Sequence, residues 1–274
     1  MTEDSFYSRL ADLIHKGDVA ALATVIRARG SVPRHSGSKM LVYPDGKILG
    51  TVGGGEMESR VIEESLAAMR DGETRILHYE LNDPHGGDPG VCGGEVEVFV
   101  EPILPKATVI VVGAGHVGQA VAHLAHWLGF RVVVNDDRAE FANPTTVPEA
   151  DEIVLCPLAE LGARTRVDDQ TYILLTTRGV PVDIAGLPAL LDSPAAYLGV
   201  IGSRRRWEVT AQQLREKGIP EAKIARVTSP MGLELNAETP EEIAVSMMAE
   251  IILRRRGGTG ERMAQPATRA RRES

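Results

Sequence analysis

The sequence of 274 residues predicts an α/β protein, with a mixed α/β domain followed by a doubly wound parallel sheet. Three observations point there. From residue 106 onward, short apolar runs alternate with helical periodicity, the pattern of a parallel sheet covered by helices. A glycine-rich turn, Gly113 to Gly118, follows the first of those runs directly. Before residue 106, strand pairs and turn signals mix with two helices. Glu101-Pro102-Ile103-Leu104-Pro105-Lys106 divides the two patterns, because its prolines interrupt strand and helix alike. The domains accordingly span 1–103 and 106–256, and 257–274 reads as a disordered, Arg-rich tail.

The elements follow in order. Phe6, Leu10, Leu13 and Ile14 lie at helical spacing and predict a helix over 5–16. Residues 19–28 read as a largely buried strand. Pro44-Asp45-Gly46 is a turn signal between short strands over 40–43 and 47–52. Val61, Ile62, Leu66 and Met69 give a helix over about 57–71. Strands over 74–81 and 95–100 complete the first domain, and the second alternates so that one face meets solvent. In the second domain, strands are expected at 108–112, 131–134, 153–155, 172–176 and 197–201, with helices in every gap. Thr239, Pro240 and Glu242 form a capping-box start for the last helix, which ends on Arg254-Arg255-Arg256 and Gly257.

Composition narrows the function classes. Hydrophobic residues make up 43% and charged residues 25%, the balance of a globular protein with a core of its own. The net charge is −8, and seven of the arginines stand in the last 21 residues against two glutamates. An acidic body argues against nucleic acid as a partner, since phosphate backbones need a basic surface. The acidic start and the lack of a long apolar span predict a cytoplasmic protein that does not engage a membrane. Cys92 and Cys156 are too distant in sequence to suggest a disulfide framework.

Several segments are candidate sites. Gly113-Ala114-Gly115-His116-Val117-Gly118 stands between a strand and a helix, the context in which glycines let backbone approach a phosphate at the helix N-terminus. Asp136 ends the next strand, where a ribose-binding acid belongs, and Arg138 beside it leaves open a preference for a 2′-phosphate. Gly202-Ser203-Arg204-Arg205-Arg206 follows another strand and suits an anion, with one or two of the arginines facing water. In the first domain, Gly53-Gly54-Gly55-Glu56 is a second anion cradle, and Gly30 to Arg34 leads to Lys39 through Gly37-Ser38. Cys92 lies among glycines and is the exposed thiol candidate, whereas Cys156 ends an apolar strand and reads as core. His116, His123 and His126 share one helix; His123 and His126 are three apart but have no third ligand, so surface or packing histidines are the reading there. No catalytic residue set emerges.

Together these motifs resemble the XdhC/CoxI family, accessory factors of xanthine dehydrogenase and related molybdenum hydroxylases. The resemblance runs in order through Gly30 to Arg34, Gly37 to Val42, Gly50 to Gly55 with Glu58, and Cys92 to Phe99. It continues through Gly113 to Gly118, Asp136 to Arg138, Gly199 to Arg205, Pro230 to Leu233 and Thr239 to Val245. It implies an N-terminal XdhC/CoxI-type domain and a C-terminal Rossmann-like domain, assembled as a homodimer. It also implies a chaperone rather than an enzyme. Such a protein binds the molybdenum cofactor (molybdopterin) while a cysteine desulfurase supplies the terminal sulfur, and delivers it to an apo-hydroxylase of xanthine dehydrogenase type. On that reading the cofactor contacts are Gly113, Gly115, His116, Gly118, Asp136, Arg138, Gly202, Ser203, Arg204 and Arg205. In the first domain they are Gly53, Gly54, Gly55, Glu56, Arg34, Lys39 and Cys92, with Cys92 the molybdenum contact. Domain interfaces are common ligand sites, so the cleft between the domains is the default location.

The sequence departs from the family pattern at three points. Glu56 follows Gly54-Gly55 where many members carry Cys, Arg178-Gly179-Val180 replaces Arg-Gly-His, and Leu235-Asn236-Ala237 replaces Ile-Gly-Ala. Two other functions compete with the chaperone. The Gly113 loop with Asp136 is what an NAD(P)-dependent oxidoreductase needs, and a scaffold with a vestigial nucleotide site is the third reading.

Overall fold

A computed structural model describes residues 3–80 and 94–264 and divides into two compact units, Met1–Pro105 and Lys106–Ser274. Cys92 lies outside the described residues, as does the end of the tail from 265 onward. Among the described residues, no helix is long and apolar enough to cross a membrane.

The first unit runs α1 (Glu3–Lys16), β1 (Ala20–Arg29), β2 (Lys39–Val42), β3 (Ile48–Gly50), α2 (Gly55–Asp71), β4 (Arg75–Glu80) and β5 (Glu95–Ile103). Its five strands form an antiparallel sheet in the order β3-β2-β1-β5-β4. Alternation sorts the side chains onto two faces. Ala21, Ala23, Met40, Val42, Val96 and Val98 meet Met57, Val61 and Ala68 of α2. Leu22 and Leu41 face the other way, where Phe6 and Leu13 of α1 cover them. Pro102 does not end β5, which continues to Ile103 opposite Ala20 of β1. The register of β4 stops at Val100, so Pro102 sits where β5 is paired on one side only and a missing N–H is tolerated.

The second unit runs β6 (Thr108–Val112), α3 (His116–Trp127), β7 (Arg131–Asp136), β8 (Glu152–Leu155), α4 (Leu161–Arg164), β9 (Thr171–Leu175) and α5 (Val180–Leu190). It continues with β10 (Tyr197–Val200), α6 (Arg204–Glu216), α7 (Glu221–Ile224), β11 (Val227–Thr228) and α8 (Pro240–Arg256). All pairings are parallel, in the order β8-β7-β6-β9-β10-β11. The chain steps outward from β6 to β8, returns to β9 on the other side of β6, and steps outward again. Ligands of such sheets bind outside the carboxyl ends of the strands at that reversal.

Both sheet faces are covered, so the strands read as continuous apolar runs. Val109, Val111, Val132 and Val134 pack with α3 and α8, while Ile110, Val112, Val133 and Ile173 pack with α5 and α6. The α8 start forms as its sequence predicts, with the Thr239 and Glu242 side chains each accepting from the other residue's backbone N–H. One expectation is corrected: no helix fills residues 137–151. Asn143 and Thr146 side chains bond the local backbone instead, Asn143 Oδ1 accepting from the N–H groups of Thr145 and Thr146. Pro144 and Pro148 add to that competition with helix. β11 was also unmarked in sequence, because two residues carry no periodicity.

Candidate ligand site

The turn from β6 to α3 is built by three glycines with separate tasks. Gly113 donates its N–H to the Asn135 carbonyl at 2.7 Å, and its own carbonyl accepts from Thr176 Oγ1 at 2.7 Å. A Cβ on Gly118 would stand 1.9 Å from the Gly113 carbonyl oxygen, so the first turn of α3 lies flush against the loop. Gly115 caps α3 with extended backbone and no side-chain bond, and a Cβ there meets nothing within 4 Å. The N-terminal N–H groups of this 12-residue helix are therefore left without a side-chain cap beside open space.

That space is a crevice of about 470 Å³, within the range that holds small organic ligands. Gly113 and Gly115 line it, Asp136, Asp137, Arg138 and Arg178 carry its charge, and Phe141, Leu158 and Val182 give it apolar walls. It lies within the second unit, around the carboxyl ends of β6 to β9.

Its charges are arranged in pairs. Asp136, 4% exposed, accepts four hydrogen bonds: Oδ1 from the Arg138 N–H and Nε, and Oδ2 from the Ala114 N–H and an Arg138 terminal nitrogen. A carboxylate offers about four acceptor positions. Asp136 thus has none left for a ribose hydroxyl in this arrangement. Arg138 is held further by stacking on Phe141, 3.9 Å from guanidinium carbon to ring centroid. Asp137 and Arg178 form a two-pronged ion pair at 2.7 and 2.9 Å. That hydrogen-bonded guanidinium holds the Asp137 carboxyl down to about 2. Arg206 donates to Asp183 Oδ2 at 2.7 Å and Thr177 Oγ1 at 2.8 Å, and the Thr177 hydroxyl donates to the other Asp183 oxygen.

The other sequence-nominated residues fall in several places. Gly118 is buried in the loop packing, and His116 is exposed and lines a separate groove between α3 and α8 with Gln119, His123 and Glu241. Ser203 caps α6 by accepting from the Arg206 N–H at 3.2 Å, while Gly202 packs on the Arg206 side chain. Arg204 and Arg205, which the sequence nominated as cofactor contacts, face solvent and do not line the crevice. Cys156 is buried, 6% exposed, at the edge of the crevice, and burial pushes its thiol pKa up.

In the first unit, Gly53 and Gly54 form a turn into α2 that is held by a carboxylate of the chain itself. Glu58 Oε2 accepts from the Val52 and Gly54 N–H groups at 3.3 Å each and from the Thr51 hydroxyl. Gly55 follows at the first position of α2, and Glu56 pairs with Arg60 one turn on. Lys39 donates to the Gly37 carbonyl, and Arg34 is exposed. Pro33 approaches so closely that a Cβ on Gly53 would come within 2.9 Å of its ring.

Sequence reasoning did not nominate Arg178, Thr177 or Asp183 as site or support residues, and it read Arg206 only as part of an anion-binding arginine run. Thr177 and Arg178 had a usable signal, polar residues just past the carboxyl end of a predicted parallel strand. Asp183 had none, because nothing local distinguishes a buried helix acid from an exposed one.

Comparison with known proteins adds a lineage. Residues 13–80 match the family model described as XdhC and CoxI family, and residues 109–251 match the XdhC Rossmann domain. The chain is 37% identical over 270 residues to the Escherichia coli K12 protein YqeB, described as uncharacterized. That match covers 96% of this chain and 48% of YqeB, so the chain spans about half of that relative. It is 23% identical over 269 residues to the molybdenum cofactor insertion chaperone PaoD of the same organism, covering 88% of this chain and 85% of PaoD. Among solved structures, a Bacillus halodurans protein described as a xanthine dehydrogenase shares the fold. Its TM-score is 0.50 at 22% identity, over 97% of this chain and 98% of the other.

Proposed function

Because the chain belongs to the XdhC and CoxI family, we propose that it is a carrier of the molybdenum cofactor. It holds the cofactor while a cysteine desulfurase supplies the terminal sulfur, and hands it to an apo-hydroxylase of xanthine dehydrogenase type. The same proposal includes a homodimer working in the cytoplasm. The observation that carries it is the crevice at the sheet reversal, where an uncapped helix N-terminus and an arginine meet apolar walls in one cavity. Molybdopterin is a heterocycle bearing a phosphate. A phosphate cradle beside an apolar slot suits those two parts.

Relatedness to a cofactor insertion chaperone along most of both chains supports the same reading. The saturation of Asp136 weighs against an oxidoreductase using NAD(P), since the usual ribose contact would first require Arg138 to let go.

The test is anaerobic titration of the protein with molybdenum cofactor and, separately, with NADH and NADPH, following retained pterin by fluorescence after oxidation. Gly115→Asp serves as the loop variant. Tight cofactor retention that this substitution abolishes is the expected result. Binding of NAD(P)H alone would overturn the carrier reading.

A further inference from the structure

Three carboxylates and three arginines meet around the carboxyl ends of β7 and β9, and they differ in whether the acid can lose its partner. The Asp136 and Asp183 side chains are 2% and 0% exposed. Withdrawing Arg138 or Arg206 would strand a charge away from water, so those two guanidinium groups are committed to the fold. Asp137 is 40% exposed and Arg178 is 48% exposed. Water solvates either one when they part, and such pairs are weak. Arg138 Nε also lies 3.8 Å from Asp137, but its hydrogen bonds go to Asp136.

The position of the pair matters as much as its weakness. Asp137 follows β7 and Arg178 follows β9, the two neighbours of β6. The ion pair therefore spans the end of β6, where the Gly113 loop begins, and Gly113, Gly115, Asp137 and Arg178 line one cavity.

We propose that Arg178 is the residue that recognises the anionic group of the ligand, and that Asp137 occupies its guanidinium until a phosphate ester displaces it. The inference rests on the crevice being the ligand site of the carrier. A guanidinium fork takes carboxylate and phosphate in the same two-pronged geometry, so exchange needs no rebuilding of the site. A phosphate dianion brings more charge than the carboxylate it replaces and also meets the N-terminal N–H groups of α3, which the Asp137–Arg178 pair leaves unused. The ligand class is a flat heterocycle carrying a phosphate monoester, with a ring face against Phe141, Leu158 and Val182.

The probe is 5′-AMP, with adenosine as its uncharged counterpart, titrated calorimetrically into the full chain and into Arg178→Gln, Asp137→Asn and Gly115→Asp. Wild type is expected to bind AMP more tightly than adenosine. Arg178→Gln is expected to weaken AMP by about tenfold or more, the worth of one charged hydrogen-bonding partner. Asp137→Asn is expected to tighten AMP by about three- to fivefold, the worth of an exposed ion pair, and to leave adenosine unchanged. Unchanged AMP affinity in Arg178→Gln, or weakened affinity in Asp137→Asn, overturns the role of Arg178. If Gly115→Asp abolishes AMP binding while Arg178→Gln does not, the crevice reading stands and this inference falls. If neither wild type nor Asp137→Asn binds AMP, both fall.

Discussion

The Arg206 guanidinium donates at 2.7 Å to the carboxylate of Asp183, whose side chain has no solvent exposure, and this bond ties the first turn of α6 to the first turn of α5. Thr177, just past β9, completes the network by donating to Asp183 and accepting from Arg206. One wall of the crevice is therefore fixed by a buried charge and not by packing alone.

Arg206→Ala leaves that carboxylate buried and unpaired. The expected loss is about 3–5 kcal/mol of unfolding free energy, read by urea denaturation. A loss of about 1 kcal/mol or less would place Asp183 in contact with water and remove it as the anchor of the wall.

The Asp137–Arg178 pair has a pH signature. The carboxyl pKa is lowered to about 2 from an ordinary value of 3.8, chiefly by its hydrogen bonds from Arg178. A group lowered on folding adds stability above its unfolded pKa, and that stability is lost as pH falls from about 4 through about 2. Screening of this exposed pair keeps the contribution below about 1 kcal/mol. Carbon-detected NMR titration of the Asp137 carboxyl should show the low value in wild type and a return toward the ordinary range in Arg178→Gln. An identical titration in both proteins would mean that the pair does not persist in solution.

Gly118 and Gly115 should respond differently to alanine. At Gly118 the new Cβ meets backbone oxygen at 1.9 Å, so the loop or α3 must shift, and a loss of about 1–3 kcal/mol is expected. At Gly115 the space is open and the backbone is already extended, so Gly115→Ala should fold as wild type does while crowding the phosphate position. Thermal unfolding beside cofactor retention separates the two effects. Equal stability of both variants would contradict the close approach of α3 to its loop.

Glu58→Ala removes the acceptor for Thr51, Val52 and Gly54 together. The part-buried donors lose their partner, at an expected cost of about 1–3 kcal/mol. Amide hydrogen exchange at Gly54 should accelerate. Protection as strong as in wild type would show that Glu58 does not hold the glycine turn.

Much of this was readable from local pattern. The bounds of β6 follow from an unbroken apolar run closed by Gly113, and the start of α8 follows from Thr239 and Glu242, residues three apart that satisfy each other's backbone. Both are short-range effects, complete within one turn or one strand. The missing helix over 137–151 marks the limit of that reading, because Asn143 and Thr146 offer local bonds that compete with helix although the parallel topology leads one to expect it.

The sequence by itself determined the two-part α/β organisation, the parallel sheet and the glycine loop at the start of α3, since periodicity and glycine placement act locally. It did not distinguish among the charged residues. Arg206 was one of three consecutive arginines and Asp136 was one plausible ribose acid. Only the tertiary structure turned Arg206 inward onto Asp183, buried Asp136 against the Ala114 N–H, and left Arg178 with a partner that can leave. The physical reason is that a charge takes its role from its burial and its counter-ion. For Arg206 and Arg178 the counter-ion stands 23 and 41 residues away in sequence, and the Ala114 N–H reaches Asp136 from 22 residues away.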